Sequence, residues 1–179
     1  MNETVGINNT LYGSRQFSDI LFSIIIPAFN EEENLRQVLA ELNIYTNQMR
    51  MRREVIVVND GSTDKTSEVG SNGGARVLSN GTNLGKAYCL KRAFEHAKGE
   101  IIITMDGDGS HDPNDIGKLV LPVLNDTDIA IGSRFHNTEG KKTTSRVHLF
   151  GNYLISLAIL LLTGRLISDS QSGFRAYKS

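Results

Sequence analysis

Residues 21–31 read LFSIIIPAFNE, residues 55–62 read VIVVNDGS and residues 101–108 read IIITMDGD. Each stretch begins as a short apolar run and ends in a proline or a cluster of Asn, Asp and Gly. A strand with one wet face alternates apolar and polar residues; strands apolar throughout are buried on both faces, which points to a parallel sheet covered by helices. The intervening segments supply the helices. Leu35, Val38, Leu39, Leu42, Tyr45 and Met49 recur at helical spacing behind Asn30, which reads as an N-cap with Glu33 three residues on. A short polar helix is expected to about Val69, and Ala87, Leu90, Phe94 and Ala97 mark one face of another that Gly99 stops. Asp112 and Pro113 read as the cap and first residue of a helix carrying Ile116, Leu119, Val120 and Val123, which Pro122 bends or ends. Val77-Leu78 and Ile129 to Ile131 add two short strands. The expected fold class is α/β, a mostly parallel central sheet with helices on both faces.

The 179 residues are 39% hydrophobic and 22% charged, enough apolar content for one domain with its own core. With 17 Gly, 3 Pro and 1 Cys, the collagen-like, disordered and disulfide-stapled classes are excluded. The division expected is a flexible tail over residues 1–19 and a domain over 20–179. Cys89 has no internal disulfide partner and no secretory signal opens the chain, so a reducing, cytoplasmic setting is expected.

A total of 19 Lys and Arg against 20 Asp and Glu is too balanced for a chain that coats nucleic acid. The charges are nonetheless segregated: residues 1–131 carry 12 basic and 18 acidic side chains, and residues 132–179 carry 7 and 2. Within the basic part, residues 147–163 read VHLFGNYLISLAILLLT between Arg146 and Arg165, short of the roughly 20 residues that span a bilayer. This segment reads either as a buried core helix or as a helix lying in a membrane interface, and the basic excess favours the interface.

Ligands of parallel sheets bind at the carboxyl ends of the strands, where Pro27 to Glu31, Asn59 to Ser62 and Asp106 to Asp108 gather. Asp106 and Asp108 flank a glycine, so both carboxylates can approach one hard cation. Two carboxylates do not make a cage; a cation held this way draws its remaining ligands from phosphate and water, as Mg²⁺ or Mn²⁺ does on a nucleotide. An EF-hand counted from Asp106 fails, with His111 and Gly117 at the positions that need Gly and Glu. A Walker A loop fails too, since Ala87 follows Gly85-Lys86 and Asn80 stands where the first glycine belongs.

Six stretches in order, SIIIPAFNEEENL (23–35), VVNDGSTDKT (57–66), NLGKAYCLKRAFEHAKGE (83–100), IIITMDGDGSHDP (101–113), AIGSRF (130–135) and DSQSGFRAY (169–177), resemble the family 2 glycosyltransferases, in particular the branch that loads sugars onto dolichyl or polyprenyl phosphate. The resemblance implies a GT-A fold, a nucleotide-sugar donor of the GDP-mannose or UDP-glucose class, Mg²⁺ or Mn²⁺ on the D-x-D, and inversion at the anomeric carbon. By motif position it puts Pro27, Phe29, Glu31, Asp60 and Lys86 in the donor-binding set and Asp106 and Asp108 on metal and diphosphate. Arg134, Arg146, Asn152 and Arg175 fall where the branch binds the acceptor phosphate or the donor diphosphate, and Asp169 beside the sugar. Asp108, Asp169, Arg134 and Arg175 are the implied catalytic group. Ser110 stands where many members have Gln, Ala87 replaces a frequent Gly, and the chain stops after FRAYK where relatives continue.

An ionised phosphate acceptor needs little help from a general base, so positioning and charge neutralisation are expected to dominate. The implied setting is the cytoplasmic face of a membrane. The rival readings are a relative acting on a non-lipid saccharide and an idle membrane-binding module. A processive polysaccharide synthase is disfavoured because Q-x-x-R-W needs a Trp and the chain has none.

Overall fold

A computed structural model describes residues 16–132 and 172–179 of the chain. After a single 3₁₀ turn at Phe17–Asp19 come β1 (Leu21–Ala28), α1 (Glu32–Gln48), β2 (Arg52–Asn59), α2 (Thr66–Asn72), β3 (Arg76–Ser79), α3 (Lys86–Phe94) and β4 (Ile101–Thr104). A 3₁₀ turn at Pro113–Asp115 leads into α4 (Ile116–Leu124), then β5 (Ile129–Ile131) and, across residues outside the description, β6 (Arg175–Lys178).

These strands form one sheet in the order β3-β2-β1-β4-β6-β5. The first four run parallel, and β6 is antiparallel to both of its neighbours. The expected α/β class holds, and every expected strand is present. β6 was read only as a motif. At four residues, opened by an arginine and closed by a lysine, it has no apolar run to announce it, and the pairing of Ile103 with Ala176 supplies what its own sequence lacks.

Ile24, Ile26, Val55, Val57, Ile101 and Ile103 face α1, α2 and α4 in the larger core. Ile25, Ile56, Val58 and Ile102 face α3, with Cys89 and Ala93 seated on them. Covered faces explain why the strands are apolar in unbroken runs. Packing also extends upstream of the expected domain start at Ile20: Phe17 is buried, its ring edge-on to Phe22 at 5.7 Å between centroids.

Helix starts and stops differ from the sequence expectation in two instructive places. Asn30 does not cap α1. Its backbone is left-handed at φ 54°, and its Oδ1 accepts from the Thr63 N–H across the neighbouring loop at 2.8 Å. The first turn of α1 is capped by that loop instead, with Thr66 Oγ1 accepting from the Glu31 N–H and Asp64 Oδ2 from the Glu32 N–H. Asp112, by contrast, caps as expected, accepting from the Asn114 N–H at 2.9 Å.

Gly99 does not stop α3, which ends five residues earlier at Phe94. Its role is close approach: its N–H donates to Ser23 Oγ at 2.8 Å, and a Cβ there would overlap the Ser23 backbone nitrogen. Gly99→Ala should therefore destabilise by about 1–3 kcal/mol through overpacking. Urea unfolding checks this, and an unchanged midpoint would remove the close-approach role.

Candidate functional site

β1, β2 and β3 build the sheet outward on one side of β1, while β4 builds it outward on the other. The reversal leaves a crevice at the carboxyl ends of β1 and β4, the place where α/β sheets bind ligands. Pro27 shapes this crevice. The Met105 N–H donates to the Ile25 carbonyl at 3.0 Å, and the next rung of a parallel ladder would run from the N–H of residue 27 to the Met105 carbonyl. Proline has no N–H, so pairing between β1 and β4 ends there and the chain leaves the sheet as the Asp106–Asp108 loop. Gly107 passes so close to β1 that a Cβ would lie 3.3 Å from the Pro27 carbonyl oxygen.

Asp106 is held from both sides. The Lys86 ammonium, at the start of α3, donates to Oδ1, and Nε2 of His111 lies 3.3 Å from Oδ2 and donates to it, a carboxylate having no proton to give. The His111 side chain is only 3% exposed and stacks on Phe174 at 5.2 Å between centroids. Gly173 presses against the same oxygen, and a Cβ on it would overlap Asp106 Oδ2. Burial works to raise the Asp106 pKa, but the hydrogen bonds and positive charges of His111 and Lys86 outweigh it and bring it down to about 2. Asp108 is exposed, and among the described residues its Oδ1 accepts a local turn bond from the Ser110 N–H at 2.9 Å.

Asp60 is buried and satisfied by the protein itself. Oδ1 accepts from Asn80 Nδ2 at 2.7 Å and the Leu84 N–H at 2.9 Å, and Oδ2 accepts from the Gly85 N–H at 2.8 Å. Burial works to raise its pKa, yet the bonds from Leu84, Asn80 and Gly85 leave it below the ordinary carboxylate value. Asp60 thus fixes the segment that delivers Lys86 to Asp106. Arg92 extends the brace by donating to the Asn80 side-chain and Ser79 backbone oxygens. Gly61 closes the turn at φ 74°, where a Cβ would lie 2.5 Å from the Thr82 backbone.

Phe29 is 44% exposed just past β1, and the Glu31 side chain accepts from Asn34 Nδ2. Arg175 lies on β6 opposite Thr104, and its Nε donates to the Ser172 carbonyl at 2.9 Å. The structure thus brings Pro27, Lys86, Asp106 and Asp108 to one crevice, with Asp60 behind them. Arg134, Arg146, Asn152, Asp169 and the segment 147–163 lie outside the described residues. Reading the sequence by motif missed His111, Asn80 and Gly173. The signal for His111 was its place in Asp108-Gly-Ser-His-Asp-Pro, and for Gly173 its place before Phe174, but both act through contacts made only in the folded chain.

Among the described residues, no three His, Cys, Asp or Glu side chains gather to hold a metal. The carboxylate oxygens this loop has to offer a cation are those of exposed Asp108 and the Asp106 oxygen that Lys86 holds. That set fits a hard divalent cation that completes its shell with diphosphate oxygens and water, and does not fit an all-protein cage.

The sequence profile described as Glycosyl transferase family 2 matches residues 23–179. The chain belongs to that family. It is 31% identical over 182 residues to a UDP-N-acetylglucosamine–dolichyl-phosphate N-acetylglucosaminyltransferase of Methanococcus voltae, covering 89% of this chain and 70% of that one. It is 33% identical over 168 residues to a dolichol-phosphate mannosyltransferase of Pyrococcus furiosus, covering 87% and 46%. Among solved structures it is similar to glucosyl-3-phosphoglycerate synthase of Mycobacterium tuberculosis in complex with Mn²⁺ and UDP-glucose, at 25% identity and a TM-score of 0.68 over 89% of this chain and 56% of that one. This chain spans roughly half to two thirds of the length of most curated relatives it matches. Among the described residues, no helix is long and apolar enough to cross a membrane.

Asp60→Asn should cost about 1–3 kcal/mol, because the amide's NH₂ must face one of three buried donors. Its pH dependence has a definite sign. A folded-state pKa below the unfolded 3.8 means the stabilisation is present above that value and fades as pH falls through and below it. Denaturation curves of the two proteins should therefore converge in acid and separate at neutral pH.

Proposed function

We propose that the protein is an inverting glycosyltransferase that moves a sugar from a nucleotide-sugar donor to a polyprenyl or dolichyl phosphate. The observation that carries this is the Asp106-Gly107-Asp108 loop leaving the sheet at its switch point, in a family 2 chain whose curated relatives are named as transferases to lipid phosphates. The donor is a GDP-mannose or UDP-glucose class molecule, with its base near Phe29 and its diphosphate at Asp106, Asp108 and Lys86.

Bound Mg²⁺ or Mn²⁺ would supply charge neutralisation on the departing nucleoside diphosphate. The chain's own residues do the rest. Asp106 is kept ionised by His111 and Lys86, so it presents a full negative charge at any physiological pH. Asp108 stands open on the same loop. In the transfer, a phosphate oxygen of the acceptor attacks the anomeric carbon from the face opposite the leaving group, and the electron pair of the broken C–O bond goes to the diphosphate. The acceptor is already largely a dianion near neutral pH, so no side chain has to remove a proton. In this reading Arg134, Arg146, Asn152 and Arg175 hold the acceptor phosphate, Asp169 lies beside the sugar, and residues 147–163 rest on the cytoplasmic face of the membrane.

A second reading, transfer to a small phosphate-bearing acceptor, draws on the similarity to glucosyl-3-phosphoglycerate synthase. Both acceptors present a phosphate, and only the lipid reading requires a membrane. Assaying transfer to a polyprenyl phosphate in liposomes against a soluble phosphorylated acid separates them. Asp108→Asn should lower transfer at least about 10²-fold, the scale of losing one group aimed at developing charge, with little change in melting temperature. Asparagine still accepts the Ser110 N–H bond, so the loop keeps its turn.

A further inference from the structure

Asp106 has a different partner on each oxygen. Oδ2 is held by His111, itself buried against Phe174, while Gly173 leaves no room for a methyl group beside either oxygen. Oδ1 is held by the Lys86 ammonium, whose side chain is 47% exposed where that of His111 is 3% exposed, so the lysine's side of the carboxylate is the one solvent reaches. The backbone around Lys86 is fixed by bonds of the Leu84 and Gly85 N–H groups to Asp60, while its side chain, a flexible four-carbon stem, is half-exposed. A cation approaching Asp106 therefore meets an oxygen already paired with a mobile positive charge.

We propose that Lys86 is a stand-in for the divalent cation: its ammonium occupies Asp106 Oδ1 when no cation is bound and must swing off to admit one. Once displaced, it lies within the same crevice as the donor's diphosphate and turns to that anion. Cation and nucleotide then favour each other. The cation frees the lysine for the diphosphate, and the diphosphate draws the lysine away from the cation's ligand. This rests on the reading of Asp106 as a cation ligand.

The test is Mn²⁺ binding, followed by the loss of the free-ion electron paramagnetic resonance signal, for wild type, Lys86→Met, Lys86→Arg and Lys91→Met. Lys91 is an exposed α3 lysine that carries the same charge and takes no part in the site. Without nucleotide, Lys86→Met should bind Mn²⁺ roughly 1.5- to 5-fold more tightly, the scale of a half-exposed ion pair, while Lys91→Met stays near wild type. With UDP or GDP present the order should reverse, with Lys86→Met weaker than wild type and Lys86→Arg between them. Thermal melts of each variant confirm the fold. Equal Mn²⁺ affinity for wild type and Lys86→Met, or an equal gain in Lys91→Met, overturns the stand-in role while leaving Asp106 as a ligand. If no protein binds Mn²⁺ with or without nucleotide, the cation reading of Asp106 falls, and the inference with it.

Discussion

Pro27 has no N–H to give, and the site follows from that. A buried parallel ladder continues as long as each strand supplies donors and acceptors in turn. Pairing between β1 and β4 lapses where residue 27 should donate to the Met105 carbonyl, and the next residue of the β4 chain is Asp106. The loop thus departs beside the end of β1 rather than farther along the sheet. Because β1 and β4 are the strands between which the sheet reverses its order of growth, the departing carboxylates enter the one crevice that the topology provides.

Around that exit, charge and packing are mutually dependent. Asp106 is flanked by a histidine buried against Phe174 and by a glycine that leaves no space for a side chain, so the lead-in to β6 shapes the site through packing. β6 is also the antiparallel strand that joins β4 to β5. The strand that widens the sheet and the contact that orients the acidic loop are the same four residues and their lead-in. On the far side, Asp60 uses both oxygens to fix Leu84 and Gly85, so Lys86 reaches the crevice from a braced backbone. Asp60 was read from its motif as a donor-pocket residue; in the fold its oxygens are directed inward at the neighbouring loop.

Interlocked loops account for the helix ends as well. Glu31 and Glu32 give their N–H groups to Thr66 and Asp64, and Glu32 in turn accepts from the Lys65 N–H. The start of α1 and the turn after β2 therefore order together, and both border the crevice. A capping residue within the helix's own sequence is unnecessary when a neighbouring loop satisfies the same orphan donors.

Much of the architecture was legible in the sequence. Unbroken apolar runs at Leu21, Val55 and Ile101 identify buried parallel strands because burial on both faces leaves no polar alternation, and the Asp106-Gly-Asp108 loop is visible because two carboxylates about a glycine directly after such a run cannot continue a buried strand and must leave it. The faces of α1 and α4 followed from periodicity, and the Asp112-Pro113 start from local backbone chemistry; on α3 the expected face of Ala87, Leu90, Phe94 and Ala97 is displaced, with Cys89 and Ala93 buried, Leu90 and Phe94 packed beside them and Ala87 exposed. The order of the strands, the insertion of β6, the inward turn of Asp60 and the burial of His111 against Phe174 were not legible. Each depends on residues far apart in the chain meeting, as Asp106 meets Gly173 and Lys86, and no local pattern encodes such a meeting. Local sequence determines what a segment can become; which carboxylate is open and which is already held is decided only when the chain closes on itself.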